Sequence, residues 1–246
     1  MSFQHPVVSQ DQWLAAHLAH LQKEKALTRQ RDQLSAERRR LPWVEVAKPY
    51  VFEAPEGRQT LADLFGGCSQ LVVYHFMYGP KWEEGCPSCS MAAEHIDANV
   101  VHLRQRDVAL VVVSRATLPQ IESFKARMGW HFPWVSSHDS DFNRDFHVSF
   151  TEQEMAAGRY YNFGTRDFPR DEAPGLSVFS KDENGHLYRT FSTFARGAEW
   201  LLGVYSYLDL VPKGRDEAGL PFPMAWVRHR DRYAPAADTT ECGCKR

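Results

Sequence analysis

Residues 9–40 have the pattern of hydrophobic and polar positions that is typical of a long helix. Leu14, Leu18 and Leu21 recur at intervals of four and three residues, and Leu27, Leu34 and Leu41 follow at intervals of seven. Ser9 and Gln12 fit a capping box at the start of the helix, and Pro42 fits its end. We expect the helix to pack one apolar stripe on its own domain or on a second subunit, so a homodimer through this helix is one prediction.

From residue 43 onward the pattern changes to the short apolar runs of an α/β domain. Near-continuous apolar runs at 71–76 and 108–114 predict buried central strands of a mostly parallel sheet. Shorter strands are predicted at 50–52, 132–135, 175–180 and 186–191, and helices are predicted from the cysteine motif to about 104, at 117–128 and at 197–209. This order of elements ends in a hairpin and a closing helix, and it predicts a thioredoxin-like fold of the longer, peroxiredoxin type, with a mixed central sheet flanked by helices.

The same pattern divides the chain into three regions. We predict an N-terminal helical extension at 1–42, a thioredoxin-like domain at 43–212, and a C-terminal extension and tail at 213–246. Residues 151–173 have no clear period, and we interpret them as an insertion in the domain.

Composition and charge exclude several classes of protein. The chain has 246 residues, of which 43% are hydrophobic and 24% charged, so it can bury a core without disulfides. The net charge of −2 removes the usual electrostatic case for a nucleic-acid partner. No apolar run is long enough to span a membrane, and the first residues lack the regions of a signal peptide. We therefore expect a cytoplasmic protein.

The chemistry-bearing motif is Cys86-Pro87-Ser88-Cys89, which lies between a predicted strand and a predicted helix. Unpaired N–H groups and the helix dipole favour a thiolate at this place, so the pKa of Cys86 should fall. Pro87 suits the first helical position, where no N–H is needed. We expect Cys86 to attack a substrate disulfide and Cys89 to resolve the mixed disulfide. Cys68 is expected to be a small buried residue without a redox role.

Residues outside the motif complete the candidate site. Pro174, just before a predicted strand, is expected to hold a substrate backbone against the cysteines, and its preceding peptide bond is expected to be cis. Trp82 could shield the thiols, and we expect Trp82 and Pro87 to bind substrate together with Pro174. Glu83 and Glu84 would either raise the pKa of the first cysteine or lie in solvent.

Other charged residues have two interpretations each. Arg115, Arg127 and Arg196 could hold a thiolate or an anionic substrate, but structural ion pairs with the aspartates of 139–145 are expected more often. His75 could accept a proton or bind a metal, but a hydrogen-bonded core histidine is the expected role.

The motif Cys242-Gly243-Cys244 lies near the end of the sequence, two residues before Arg246. One hypothesis is that these auxiliary thiols exchange electrons with the central pair. A second is a zinc site of four thiolates that includes the central pair, with copper as another metal alternative. A third is that they are incidental cysteines of an exposed tail.

Three stretches of the sequence resemble a known family. The stretches FMYGPKWEEGCPSCSMAAEHID and APGLSVFSKDENGHLYRTFSTFARG, and 111–150 between them, resemble a bacterial thioredoxin-like family filed as domain of unknown function 899. Its members are often described as predicted dithiol-disulfide oxidoreductases, and the resemblance covers about residues 5–230. It implies a thioredoxin-like fold with Cys86 and Cys89 as the redox pair. The stretch FPWVSSHDSDFNRDFHV is more distantly similar to peroxiredoxins.

This chain departs from the peroxiredoxin pattern at the positions that precede the reactive cysteine. Peroxiredoxins have Thr or Ser three residues before that cysteine, where this chain has Glu83, and Pro seven residues before it, where this chain has Gly79. We therefore predict a thiol-disulfide oxidoreductase, acting on a protein or small-molecule disulfide with a thiol reductant. Thiol peroxidase, or a metal-binding or scaffold protein without enzyme activity, is the alternative. No organic cofactor is expected, because no glycine-rich nucleotide-binding loop is present.

Overall fold

The computed structural model describes residues 5–164 and 167–234, and the chain divides into two units, Met1–Val44 and Glu45–Arg246. The first unit contains one helix, α1 (Gln10–Arg38), which confirms the predicted N-terminal helix. Its capping box is formed, because Ser9 Oγ accepts from the Gln12 N–H at 3.3 Å and Gln12 Oε1 accepts from the Ser9 N–H at 3.1 Å.

None of the residues of α1 is buried. At about 100° per residue, Leu27 and Leu34 lie on the opposite side of the helix from Leu14, Leu18 and Leu21. The leucines therefore form two short stripes rather than one long face. A homodimer through this helix stays a prediction.

The second unit is built on one mixed sheet. Its strands are β1 (Val44–Glu45), β2 (Val51–Ala54), β3 (Gly57–Thr60), β4 (Gln70–His75), β5 (Val108–Ser114), β6 (Trp134–Ser136), β7 (Gly175–Lys181) and β8 (Leu187–Phe194). Its helices are α2 (Pro87–Asp97), α3 (Val100–Arg104), α4 (Leu118–Met128), α5 (Phe142–Asp145), α6 (Glu152–Ala157) and α7 (Gly203–Leu208). Short 3₁₀ helices lie at Asp63–Phe65, Asn162–Gly164, Ala195–Leu201 and Arg230–Arg232. The sheet order is β1-β8-β7-β4-β5-β6-β2-β3.

The strand directions give the expected thioredoxin-like topology. β4, β5 and β6 run parallel, and helices α2 and α4 lie in the connections between them. β7 pairs antiparallel with β4, and β8 pairs antiparallel with β7. Because His75 pairs with Gly175, Pro174 lies at the end of the sheet where the chain leaves β4 toward the cysteine motif.

Strand β4 separates the two halves of the core. Val73 packs in one buried cluster, whereas Tyr74 and Phe76 pack in the other, which also contains Cys89 and Ala92 of α2. This alternation follows from the two-residue period of a strand. It directs the side chain of Tyr74 toward the helix that carries the cysteines.

Several local predictions differ from the structure. The helix expected to run to 104 ends at Asp97, and Asn99 Nδ2 donates to the carbonyl of His95 at 2.6 Å, where the chain leaves the helix. The helix expected at 197–209 is a 3₁₀ helix followed by α7. The interpreted insertion contains α6, whose capping box of Thr151 and Glu154 is readable in the sequence.

Within residues 5–164 and 167–234, no helix is long and apolar enough to cross a membrane.

Candidate functional site

The cysteine motif begins helix α2 in the way that the sequence predicts. Cys86 is the N-cap residue in an extended conformation, with φ −61° and ψ 130°, and Pro87 is the first helical residue. The Cys86 carbonyl accepts from both the N–H and the hydroxyl of Ser90, each at 2.9 Å. The thiol of Cys86 therefore stands beside the free N–H groups of the first helical turn.

The peptide unit that joins Gly85 to Cys86 is held at both of its polar groups. The Cys86 N–H donates to the Met77 carbonyl at 3.0 Å, and His229 Nε2 hydrogen-bonds the Gly85 carbonyl at 2.8 Å. Gly85 is required here, because a Cβ would lie only 2.6 Å from the ring of Phe76. These contacts fix the direction in which the Cys86 side chain leaves the backbone.

The two thiols differ in exposure and in acidity. Cys89 is buried at 2% exposure, whereas Cys86 is half-buried, and both are free cysteines. Hydrogen bonding by the Cys89 thiol, assisted by N–H groups of the first turn and by Arg170, lowers the pKa of Cys86 to about 7. Burial raises the pKa of Cys89 well above its ordinary value of 9.0. At neutral pH about half of Cys86 is therefore thiolate, whereas Cys89 keeps its proton.

Tyr74 of β4 packs in the same buried cluster as Cys89. Burial is the main reason why the pKa of Cys89 is raised, and the neighbouring Tyr74 hydroxyl and Met77 N–H lower that pKa in part. Tyr74 is 4% exposed, and burial raises the pKa of its phenol well above 10.0, so the phenol keeps its proton at neutral pH.

A second group of residues lies against the exposed side of the motif. Trp82 and Cys86 each pack against the buried cluster that contains Cys89, and the Trp82 Nε1–H donates to Asp171 Oδ1 at 3.1 Å. The guanidinium carbon of Arg170 lies 5.5 Å from the centre of the Trp82 ring. Arg170 is exposed and close enough to Cys86 to favour its thiolate. The interpreted insertion thus supplies residues to the site.

The structure corrects the expected conformation at Pro174. No cis peptide bond occurs in the described ranges, so the expectation of a cis bond before Pro174 is wrong. The preceding Ala173 donates its N–H to the Val148 carbonyl at 2.8 Å, so the chain is already extended before it enters β7. The Pro174 carbonyl accepts from the hydroxyl of Tyr161 at 2.6 Å. A role for Pro174 in holding substrate stays a prediction.

The acidic residues before the motif do not set the acidity of Cys86. Glu83 is exposed, which agrees with a solvated loop charge. Glu84 is half-buried, and its carboxylate pairs with Arg127 at 2.9 Å and Arg232 at 2.7 Å. These partners offset the charge of Glu84 and hold the loop in place.

The other expected ion pairs form with different acidic partners. Arg115 pairs with Glu172 at 3.4 Å, and Arg196 pairs with Glu199 at 2.9 Å. Neither Arg115 nor Arg196, nor Arg127, pairs with the aspartates of 139–145, so that part of the prediction is wrong.

Two expected core residues are confirmed. His75 is 1% exposed, and its Nε2 hydrogen-bonds Ser177 Oγ at 2.9 Å. Burial lowers the pKa of His75 to about 3, so the ring is neutral. Cys68 is buried and free.

Sequence reasoning missed the segment 227–232, which we call the C-terminal strap. In addition to the bond from His229 to Gly85, the strap forms a bidentate pair between Asp231 and Arg127 at 2.8 and 3.0 Å. Its Arg230 pairs with Glu94 of α2 at 2.9 Å. A polar run at the end of a chain has no period that would have marked it as part of a site.

The described residues do not include the second cysteine pair. Cys242 and Cys244 lie outside the described ranges, so the hypotheses about them are untested. Within residues 5–164 and 167–234, no three metal-binding side chains form a cluster.

The family model described as "Bacterial protein of unknown function (DUF899)" matches residues 2–233. The chain belongs to this family. The suspected family resemblance is thereby confirmed, and the match extends over both the cysteine motif and the C-terminal strap of this DUF899 member. No curated protein matches the sequence.

Several solved structures are similar to part of this DUF899 member. A PrxQ mutant from Xylella fastidiosa is 17% identical with a TM-score of 0.40, covering 65% of this chain and 89% of its own. Peroxidoxin BcpB from Mycobacterium tuberculosis is 13% identical with a TM-score of 0.43, covering 65% and 93%. A putative thiol:disulfide interchange protein DsbE from Chlorobium tepidum is 14% identical with a TM-score of 0.40, covering 67% and 94%.

Proposed function

We propose that the protein is a thiol-disulfide oxidoreductase whose redox pair is Cys86 and Cys89. The observation that supports this most directly is the position of the two cysteines in the first turn of α2, with Cys86 as the N-cap residue and Cys89 three residues later. This spacing at a helix start allows the two thiols to close into a disulfide. The pKa of Cys86 is lowered and that of Cys89 is raised, so the more exposed cysteine is the one that ionises more readily.

The proposed reaction has two steps. The Cys86 thiolate attacks one sulfur of a protein or small-molecule disulfide, so a mixed disulfide forms and the first thiolate leaves. Cys89 then attacks the sulfur of Cys86 and loses its proton to the leaving thiolate or to solvent. The second thiol leaves, and the Cys86–Cys89 disulfide remains. A thiol reductant restores the dithiol by the reverse chemistry, and no organic cofactor is required.

The residues around Cys86 support a role in binding the substrate. Trp82 supplies an aromatic surface on the same buried cluster that Cys86 packs against, and Arg170 supplies an exposed positive charge that favours the Cys86 thiolate. In the part of the chain that the structure describes, Arg170 forms no ion pair with a carboxylate within 4.0 Å. An anionic group near the disulfide of a substrate would therefore find a partner here.

The first experiment is a redox titration of the full-length protein in graded dithiothreitol or glutathione buffers, with metals removed. Free thiols are trapped, and the peptide carrying Cys86 and Cys89 is analysed by mass. We expect one reversible two-electron transition, which is lost in Cys86→Ser and in Cys89→Ser. A midpoint potential of about −270 mV would indicate a reductant, and a midpoint potential of about −120 mV would indicate an oxidant. A pair that forms no disulfide at any ratio would contradict the proposal.

The thiol peroxidase alternative is tested in the same preparation. Glu83, at the place where a peroxiredoxin has Thr or Ser, is an exposed carboxylate and donates no hydrogen bond to a peroxide. We therefore expect the reduced protein to reduce aromatic disulfides faster than hydrogen peroxide. Faster consumption of peroxide would favour the alternative.

A further inference from the structure

The C-terminal strap places a buried imidazole against the backbone that leads into the cysteine motif. His229 is 1% exposed, and its Nε2 hydrogen-bonds the Gly85 carbonyl at 2.8 Å. Because a carbonyl oxygen can only accept, this ring nitrogen carries a proton and is the donor. The other ring nitrogen, Nδ1, lies 3.5 Å from the Glu84 carboxylate. His229 thus contacts the two residues that directly precede Cys86, and the two steps of the proposed reaction do not yet use it.

Charge pairs of the next two residues of the strap hold His229 in this position. Arg230 pairs with Glu94 of α2 at 2.9 Å, and Asp231 forms its bidentate pair with Arg127 of α4. The strap is therefore attached both to the helix that carries the cysteines and to α4. An imidazole that is supported on two sides presents its donor at a fixed place.

The peptide unit that accepts this hydrogen bond is also tightly packed. A Cβ at Gly85 would lie 2.6 Å from the ring of Phe76 and 2.8 Å from the ring of Phe124. The Phe124 ring in turn packs edge-on against His229, with ring centres 5.3 Å apart. Rings on one side and a hydrogen bond on its oxygen thus hold the peptide bond before Cys86.

The conformation of this peptide unit decides where the Cys86 sulfur lies. Cys86 is the extended N-cap residue, and its sulfur stands beside the free N–H groups of the first helical turn. A buried carbonyl that has lost its donor is costly, so without His229 the Gly85 carbonyl would turn toward another donor or toward water. That rotation would change the direction of the Cys86 side chain and weaken the contact of its sulfur with those N–H groups.

We propose that His229 is a positioning residue of the first step: its hydrogen bond to the Gly85 carbonyl keeps the Cys86 sulfur beside the N–H groups of α2, where the attacking thiolate forms. This inference rests on the proposed dithiol function. His229 acts through the backbone, so no proton or electron passes to it and the balance of both steps is unchanged. The expected signature is a change in the ionisation of Cys86, which a purely structural histidine would not cause.

The ultraviolet absorbance of the thiolate, titrated against pH in the full-length chain, measures this ionisation directly. The thiols outside the pair are removed by Cys68→Ala, Cys242→Ser and Cys244→Ser. In this background we expect His229→Leu to raise the pKa of Cys86 from about 7 to about 8, the effect of roughly one weakened hydrogen bond, so the thiolate fraction at pH 7 falls about fivefold. The pH profile of thiolate attack on dithionitrobenzoate should move by the same amount. His229→Gln, whose amide can donate to the Gly85 carbonyl, should restore most of the thiolate.

His75→Leu is the matched control for the loss of a buried imidazole. His75 is also 1% exposed, and its Nε2 makes one hydrogen bond, at 2.9 Å to Ser177. Its ring packs against Phe142 and Phe146, which belong to the half of the core that does not contain Cys89. We therefore expect the titration curve of this variant to match that of the parent.

Each outcome of the titration decides the question. A curve for His229→Leu that matches the parent would overturn the proposal, and so would a shift that His75→Leu shares or that His229→Gln does not reverse. If His229→Leu does not fold, His229→Asn takes its place, because its amide is on a shorter side chain and does not reach as far. A curve equal to that of His229→Gln would then overturn the proposal. The dithiol function is judged separately in graded redox buffers, and a parent protein that forms no disulfide between the pair would refute that function whatever the titration shows.

Discussion

The acidity of Cys86 depends mainly on one neighbouring thiol, and this can be tested by replacing that thiol. Cys89→Ala removes the hydrogen bond that contributes most to lowering the pKa of Cys86 from 9.0 to about 7. At pH 7, about half of Cys86 is thiolate in the wild type. If the pKa rises by one to two units in the variant, the thiolate fraction falls by about 5- to 50-fold.

Thiolate absorbance in the ultraviolet, titrated against pH, measures this change directly. The titration is preferable to a single alkylation rate, because a less acidic thiolate is also more nucleophilic and partly hides the loss. Cys68→Ala, Cys242→Ser and Cys244→Ser remove the other thiols. Cys89→Ser is the matched control, since its hydroxyl can still donate to Cys86.

The result that would refute this reasoning is a Cys86 pKa near 7 in Cys89→Ala. The N–H groups of Ser88 and residue 89 and the charge of Arg170 would then be sufficient to hold the thiolate. A rise in Cys89→Ala together with a pKa close to wild type in Cys89→Ser would show that a donor at position 89, rather than packing, sets the acidity.

Three further predictions concern the surroundings of the pair. Arg170→Gln should raise the pKa of Cys86 by less than Cys89→Ala does, because Arg170 is the smaller contribution, and the same absorbance titration measures it. His229→Leu should lower the free energy of unfolding in urea by about 1–3 kcal/mol, since the buried Gly85 carbonyl loses its donor, and His229→Gln should restore part of the loss. Burial raises the pKa of Glu172 to about 7, so its folded form retains a proton that the unfolded form loses near pH 4.5. Stability should therefore fall as pH rises from about 4.5 to 7, and Glu172→Gln should flatten that fall in denaturation measurements.

The central strands, the helix start and the thiol pair were predictable from the sequence because their causes are local. The apolar runs of β4 and β5 have the composition of buried parallel strands, and Pro87 marks the first turn of α2. The acidity of Cys86 follows in direction from the same helix start. Each of these conclusions needs only residues that are close together in the chain.

The surroundings of the thiols were not predictable, because they depend on contacts between distant segments. The cis expectation at Pro174 is wrong, and the preceding Ala173 bonds to Val148, a pairing that no local signal in the sequence indicates. Arg170 lies in a stretch without a period, yet it reaches the ring of Trp82. Sequence reasoning could name the reacting atoms but could not identify what surrounds them.

Sequence analysis did not place His229 or Tyr74 near the thiols, and the reason differs between the two residues. His229 is separated from Gly85 by 144 positions, and only the folded chain brings them together. Tyr74 lies only twelve positions before Cys86, but it reads as one more apolar residue of a buried strand. Only the folded chain shows which face of the strand Tyr74 lies on, and that face packs in the same buried cluster as Cys89. The motif identifies the reacting thiols, and the pairing of distant strands and segments determines which side chains surround them.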